Sequence, residues 1–104
     1  MEGYVVFRFL VEKEDDEFIS HCEQLGIVSC GSTIDEALSN LKDAVEVYLN
    51  TIEELGERRR VFREKGIRIQ RKTKPSEQVA RVSVRPDTVF TPYIHYLKSS
   101  YAAT

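Results

Sequence analysis

The sequence predicts an α+β fold, an antiparallel sheet of three to four strands in the chain order β-β-β-α-β with one long helix packed across it. The first observation is a stripe of apolar residues that recurs every three or four positions from residue 33 to residue 55, which is the period of an amphipathic helix. The second is alternation of apolar and polar residues before this helix and once after it, which is typical of strands. At 104 residues the chain is long enough for one domain with its own core.

Three strands are predicted before the helix. Residues 4–13 alternate, and the side chains expected to face the helix are Val5, Phe7, Phe9 and Val11. The acidic residues 14–17 form a polar turn, and residues 18–22 resume as a second strand. A reversal at Gln24, Leu25 and Gly26 leads into the third strand, residues 27–31.

The predicted helix has both of its ends marked. Thr33 is suited to accept a hydrogen bond from the first free amides, and Glu36 three residues later completes a capping box. The charge of Glu36 also suits the positive end of the helix dipole. Gly56 is the expected stop. The apolar stripe consists of Ile34, Ala37, Leu38, Leu41, Ala44, Val45, Tyr48, Leu49, Ile52 and Leu55.

The second part of the chain is less regular. Residues 57–74 form a basic insert. Its first part, residues 57–65, has too few apolar side chains to nucleate a core, and we expect a surface turn or short helix there, followed by a short extended piece at Ile67 and Ile69. Residues 79–85 alternate and form the predicted fourth strand. The aromatic tail, residues 86–104, suits either a short helix or an added strand. We therefore divide the chain into a domain over residues 1–85, which includes the insert, and the tail.

The net charge of −2 conceals a strong asymmetry along the chain. Residues 1–57 contain three basic and fourteen acidic side chains, which gives −11, and residues 58–104 contain twelve basic and three acidic side chains, which gives +9. Such asymmetry indicates either that the protein binds a charged partner or that its two halves pair with each other. It says little about the fold.

Composition also restricts the setting of the protein. The chain has no apolar run long enough for a membrane span, and its early acidic residues do not suit a signal peptide. Cys22 and Cys30 match neither a disulfide framework nor a zinc spacing. We expect reduced, half-buried cysteines in a cytoplasmic protein.

Two motifs resemble the HicB-like antitoxin family. Residues 16–26 match an acidic turn, an aromatic residue and a turn like "C-P-E-L-G", and residues 31–38 match "G-x-T-x-x-E-A" at the start of a long helix. The resemblance covers about residues 4–55, with a weaker match over residues 75–85. The chain departs from the family at Gln24, where a proline is usual, and in its longer basic insert.

The resemblance implies a truncated RNase H-like sheet without nuclease activity. A protein of this kind binds and blocks a small ribonuclease toxin of the HicA type. Many members carry an added DNA-binding domain, but the tail is too short for one, so we expect no direct DNA binding. An acidic half-domain would suit the cationic surface of such a toxin. The expected contact residues are Asp15, Asp16, Glu17 and Glu23.

The alternative function belongs to a different class. The basic insert, with Arg58, Arg59, Arg60 and Arg63, followed by a tyrosine-rich tail, suits an RNA- or DNA-binding module. The same arginines would otherwise neutralise the acidic half of the same chain or of a second copy. An orphan protein-interaction domain is the third interpretation. Open sheet edges lead us to expect a homodimer or larger homo-oligomer.

No catalytic, cofactor or metal site is predicted. The acidic residues 14–17 lack the glycine and the spacing of a calcium loop. His21 and Cys22 are neighbours on a strand, so their side chains should point to opposite faces. We expect Glu12 and Glu23 not to share a metal, and His95 to pack at a surface or interface.

Overall fold

The computed structural model describes residues 3–71 and 82–97, and for residues 82–85 the backbone alone. Over these residues the strands are β1 (Tyr4–Glu14), β2 (Glu17–Cys22), β3 (Ile27–Gly31), β4 (Val82–Arg85) and β5 (Thr88–Tyr96), and the helices are α1 (Ile34–Glu54) and α2 (Arg58–Lys65). All neighbouring strands are antiparallel, in the order β3-β2-β1-β5-β4. The predicted α+β class is confirmed, and the sheet has five strands rather than three or four.

One face of the sheet supplies the core. The predicted inward set of β1, Val5, Phe7, Phe9 and Val11, is at most 2% exposed. Because Phe9 pairs with Cys22 and Val11 pairs with Ser20, β2 presents these two residues to the same face, as predicted. The buried stripe of α1 covers this face and consists of Ala37, Leu41, Val45, Leu49 and Ile52. Leu55, predicted to belong to the stripe, is 70% exposed because the helix ends one residue earlier.

The motif at the start of α1 has a clear physical basis. The Thr33 hydroxyl accepts a hydrogen bond from the Glu36 amide at 3.0 Å. The Glu36 carboxylate accepts in turn from the Ser32 amide at 2.9 Å, one residue before the position expected for a capping box. Ala37 is fully buried, and its carbonyl accepts from the Ser20 hydroxyl at 2.8 Å. These contacts fix the first turn of α1 on β2.

The helix α2 contributes more to the core than its sequence indicates. It spans eight residues of the basic insert, and both of its apolar side chains, Val61 and Phe62, are buried in the main core cluster. The predicted short helix is therefore present, but it is not confined to the surface, because its two apolar side chains join the core. After Gly66 ends the helix, Ile67 and Ile69 also pack against the core.

The segment expected to be a tail forms a central strand. β5 pairs with β1 over nine residues, from Tyr4 opposite Tyr96 to Glu12 opposite Thr88. The predicted boundary after residue 85 thus lies at the turn between β4 and β5, two adjacent strands of the same sheet. Of the predicted fourth strand, residues 79–81 lie outside the described residues.

Pro92 is accommodated in β5 by the hydrogen-bonding pattern. Pro92 lies opposite Arg8. The Arg8 amide points away from β5 and donates to the Gln24 side chain at 2.7 Å. Arg8 and Pro92 therefore form a non-hydrogen-bonded pair, and the nitrogen of Pro92 faces away from β1. Among the described residues, β4 pairs with β5 as far as Phe90. The missing N–H of proline thus removes no hydrogen bond from the β1–β5 ladder.

Gln24 completes the edge of β1 where β2 ends. Its side-chain oxygen accepts from the Arg8 amide, and its side-chain nitrogen donates to the Val6 carbonyl at 3.3 Å. Gln70 continues the same edge by exchanging two backbone hydrogen bonds with Tyr4. A proline at position 24 would lack both side-chain groups, so Gln24 has a structural role at this edge.

Candidate functional site

Acidic side chains gather at one end of the sheet. Asp15 and Asp16 form the two-residue turn between β1 and β2, and both are exposed. The same end holds the first turn of α1, because β3 runs back alongside β2 and leads directly into it. We call this region the acidic end and define it by Asp15, Asp16, Glu17, Asp35 and Glu36.

The turn itself constrains what can replace its residues. Asp15 has a φ of 55°, which is in the left-handed region. Aspartate and asparagine adopt this conformation more readily than most other residues, because their short polar side chains hydrogen-bond locally. Asparagine therefore removes the charge at this position with the least backbone strain.

Glu23 lies away from the other expected contact residues. It follows β2, whereas Asp16 precedes it, and six strand residues at about 3.3 Å each separate the two ends by roughly 20 Å. The structure thus brings Asp15, Asp16 and Glu17 together and places Glu23 at the opposite end of the sheet. A single small docking surface at the acidic end does not include Glu23.

The four arginines of the alternative function all lie on α2, and two of them, Arg58 and Arg60, pair with acidic residues of the same chain. The Arg58 Nε lies 2.7 Å from a Glu53 carboxylate oxygen, with both side chains mostly buried. The Arg60 Nε lies 2.6 Å from Glu57, and its Nη1 lies 3.1 Å from Glu64. These two carboxylates raise the pKa of Arg60. Arg63 is exposed, and Arg59 also has an interaction partner. Part of the basic insert is therefore neutralised within the chain.

A cluster that sequence reasoning missed joins α1 to β5. The Glu46 carboxylate accepts a hydrogen bond from the Tyr93 hydroxyl, and the same oxygen lies 2.8 Å from the His95 Nδ1. Tyr93 also stacks on Phe9, with ring centroids 4.9 Å apart. The spacing of Tyr93 and His95 places them on one face of a strand, but Glu46 is nearly fifty residues away in sequence and leaves no local signal. The cluster holds the middle of α1 to the sheet.

Burial raises the pKa of Tyr93, and the hydrogen bond and negative charge of Glu46 raise it further. Between pH 9 and 11 an unfolded tyrosine loses its proton while the folded one keeps it, so stability falls as the pH rises above about 10. Tyr93→Phe removes this ionisation, and we expect its urea midpoint to fall less over this pH range than that of the wild type. The control is Tyr96→Phe, which changes an exposed ring. If the urea midpoints of the wild type and of Tyr93→Phe fell equally over this pH range, the raised pKa of Tyr93 would be contradicted.

The remaining candidates form no catalytic arrangement in the described part of the chain. His21 lies on the face opposite Cys22, as predicted, and its Nε2 is 4.0 Å from a Glu12 oxygen. Cys22 is buried, and this burial raises the pKa of its thiol, whereas Cys30 is exposed. The expectation of two half-buried cysteines is therefore wrong. Among residues 3–71 and 86–97, no three His, Cys, Asp or Glu side chains are grouped so that they could hold a metal ion.

Comparison with known proteins gave no match to a family model, to a curated protein or to a solved structure. In the described ranges neither helix has the length and apolar character required to cross a membrane.

Proposed function

We propose that this protein is an antitoxin-like inhibitor that binds a small basic ribonuclease of the HicA type through its acidic end and has no catalytic activity of its own. The observation that carries the proposal is the segregation of charge in the fold. The acidic turn and the first turn of α1 lie at one end of the sheet. The basic helix α2 follows the C-terminal end of α1. This is the opposite end of the sheet, where Gln70 pairs with Tyr4 at the start of β1.

The physical argument concerns the surface of the expected partner. A ribonuclease must hold RNA phosphates, so its RNA-binding surface is cationic. A rigid acidic surface competes for the same charges and accelerates association by electrostatic steering. The acidic end is rigid because hydrogen bonds fix both the hairpin and the capped start of α1. The resemblance of residues 16–26 and 31–38 to HicB-like antitoxins supports the same partner class.

The contacts of α2 favour this proposal over nucleic-acid binding. Arg58 and Arg60 are held by Glu53, Glu57 and Glu64. These carboxylates would repel phosphates that approach the arginines. Salt-sensitive RNA binding that is lost when Arg58, Arg59 and Arg60 become alanine would instead support the nucleic-acid module. The proposed inhibitor works in the cytoplasm and does not bind DNA directly.

We expect an adjacent reading frame to encode a small basic protein, and the rate of association with that protein tests the docking surface. The variant is Asp15→Asn with Asp16→Lys, since asparagine suits the φ of residue 15. Glu23→Gln with Glu54→Lys makes the same charge change at the opposite end and serves as the control. At low salt we expect the first variant to associate about tenfold more slowly than the control. Equal rates for the two variants would show that the acidic end is not the docking surface.

A further inference from the structure

The sheet has a second face that α1 and α2 do not cover. Its side chains are the outward members of the strands, and we call this surface the open face. Val28 is 59% exposed, Tyr96 is 62% exposed and Phe90 is 36% exposed. Four further apolar members are half-buried. The open face thus includes Val6, Leu10, Ile19, Val28, Phe90, Ile94 and Tyr96, together with the polar Arg8, Glu12 and His21.

Soluble proteins rarely leave so many neighbouring apolar side chains in water unless the surface binds something. The β1–β5 ladder is nine residues long, or about 30 Å, and four strand spacings make the sheet about 20 Å wide. The other three strands have only four to six residues, so the open face is about 550 Å² in area. Two such faces packed together would bury about 1,100 Å², just above the roughly 1,000 Å² that a specific interface needs.

The charges on the open face are self-complementary. Arg8 and Glu12 lie on the same face of β1 with Leu10 between them. Four residues of strand separate them by about 13 Å, so they are too far apart to pair within one chain. Among the described residues, Glu14 and Glu17 also lie on this face but at the acidic end, whereas Arg8 and Glu12 flank its centre.

The strand register aligns a row of residues across the sheet. Leu10 lies opposite His21 on one side and Phe90 on the other, and His21 lies opposite Val28. Two sheets can pack face to face about a two-fold axis that lies between them and runs along this row. Because the axis is perpendicular to the strands, β1 of one chain is then antiparallel to β1 of the other. This arrangement places Arg8 of each chain near Glu12 of the other, as an isologous interface requires.

We infer that the open face is the interface of a homodimer, formed by two sheets packed face to face about a two-fold axis that crosses β1 near Leu10. In this dimer the two α1 helices lie on the outside. The acidic ends point in opposite directions, so the dimer leaves both of them accessible. The inference goes beyond the proposed function, and its test requires no toxin.

The test is the mass of the protein in solution by sedimentation, with circular dichroism to confirm folding. We expect a dimer for the wild type and a folded monomer for Leu10→Lys, because lysine would be desolvated at the centre of the interface. The matched control is Val47→Lys on the solvent side of α1, where the valine is 66% exposed. This control should remain a dimer. A monomeric wild type would overturn the inference, as would a dimeric Leu10→Lys.

Charge exchange tests the arrangement within the dimer. Arg8→Glu and Glu12→Arg each bring like charges together across the axis, so each should weaken dimerisation at least about tenfold. The double variant restores opposite charges and should recover nearly all of the affinity. This recovery cannot come from a contact within one chain, because the two residues are too far apart. Failure of the double variant to recover would overturn the proposed two-fold packing.

Discussion

Replacing Phe7 with alanine is expected to lower the free energy of unfolding by about 3 to 5 kcal/mol. Phe7 is among the largest of the fully buried side chains and lies on the middle strand, under α1. Truncation removes its transfer free energy and leaves a cavity that the paired strands on either side prevent from closing. Because small domains are only marginally stable, this loss is comparable with the whole stability of the fold.

Urea unfolding monitored by circular dichroism measures this effect. Val47→Ala is the control, since Val47 is exposed on α1 and its truncation should change stability by no more than about 0.5 kcal/mol. If Phe7→Ala does not fold, Phe7→Leu should show a smaller loss in the same direction. A Phe7→Leu variant as stable as the wild type would show that position 7 is not at the centre of the core.

Gly31→Ala is expected to cost about 2 to 3 kcal/mol, although it adds one methyl group. A β-carbon at position 31 would lie 2.5 Å from the Ala37 amide nitrogen and 2.9 Å from the Glu36 carbonyl carbon. Both atoms belong to the backbone of α1, so relief requires the helix to move off β3. Its capped first turn and the hydrogen bond from Ser20 to Ala37 resist this movement.

The comparison for this variant is Gly66→Ala. Gly66 has a φ of 67°, and a β-carbon added there would meet nothing within 4 Å, so alanine adds backbone strain without a collision. We expect a loss of about 1 kcal/mol at position 66, clearly smaller than at position 31. Equal losses at the two glycines would mean that close approach of α1 to β3 is not what position 31 requires.

The elements with strong periodicity and marked ends were predictable from sequence. The apolar stripe and Thr33 placed α1 within one residue at each end, and alternation placed β1, β2 and β3 and the inward face of β1. Local pattern decides these elements because each buries one face along its whole length.

The remaining elements depend on partners that are distant in sequence. The sequence left open whether the segment that contains Pro92 forms a short helix or an added strand, and the strand accepts Pro92 because the Arg8 amide is turned toward Gln24. Val61 and Phe62 were too few to predict burial, yet α1 provides the surface that buries them. The cluster of Glu46, Tyr93 and His95 likewise forms only when α1 crosses the sheet. Of the candidate site, sequence alone indicated the acidic residues but not that Glu23 lies at the other end.

The central claim, that this protein is a non-catalytic inhibitor of a basic ribonuclease, is tested most directly by RNA cleavage. RNA is incubated with the small basic protein that we expect an adjacent reading frame to encode, and the proposed inhibitor is added up to an equimolar amount and beyond. We expect cleavage to be abolished near equimolar addition, with the Asp15→Asn, Asp16→Lys variant requiring a larger excess. Undiminished cleavage with the wild type in excess would contradict the account.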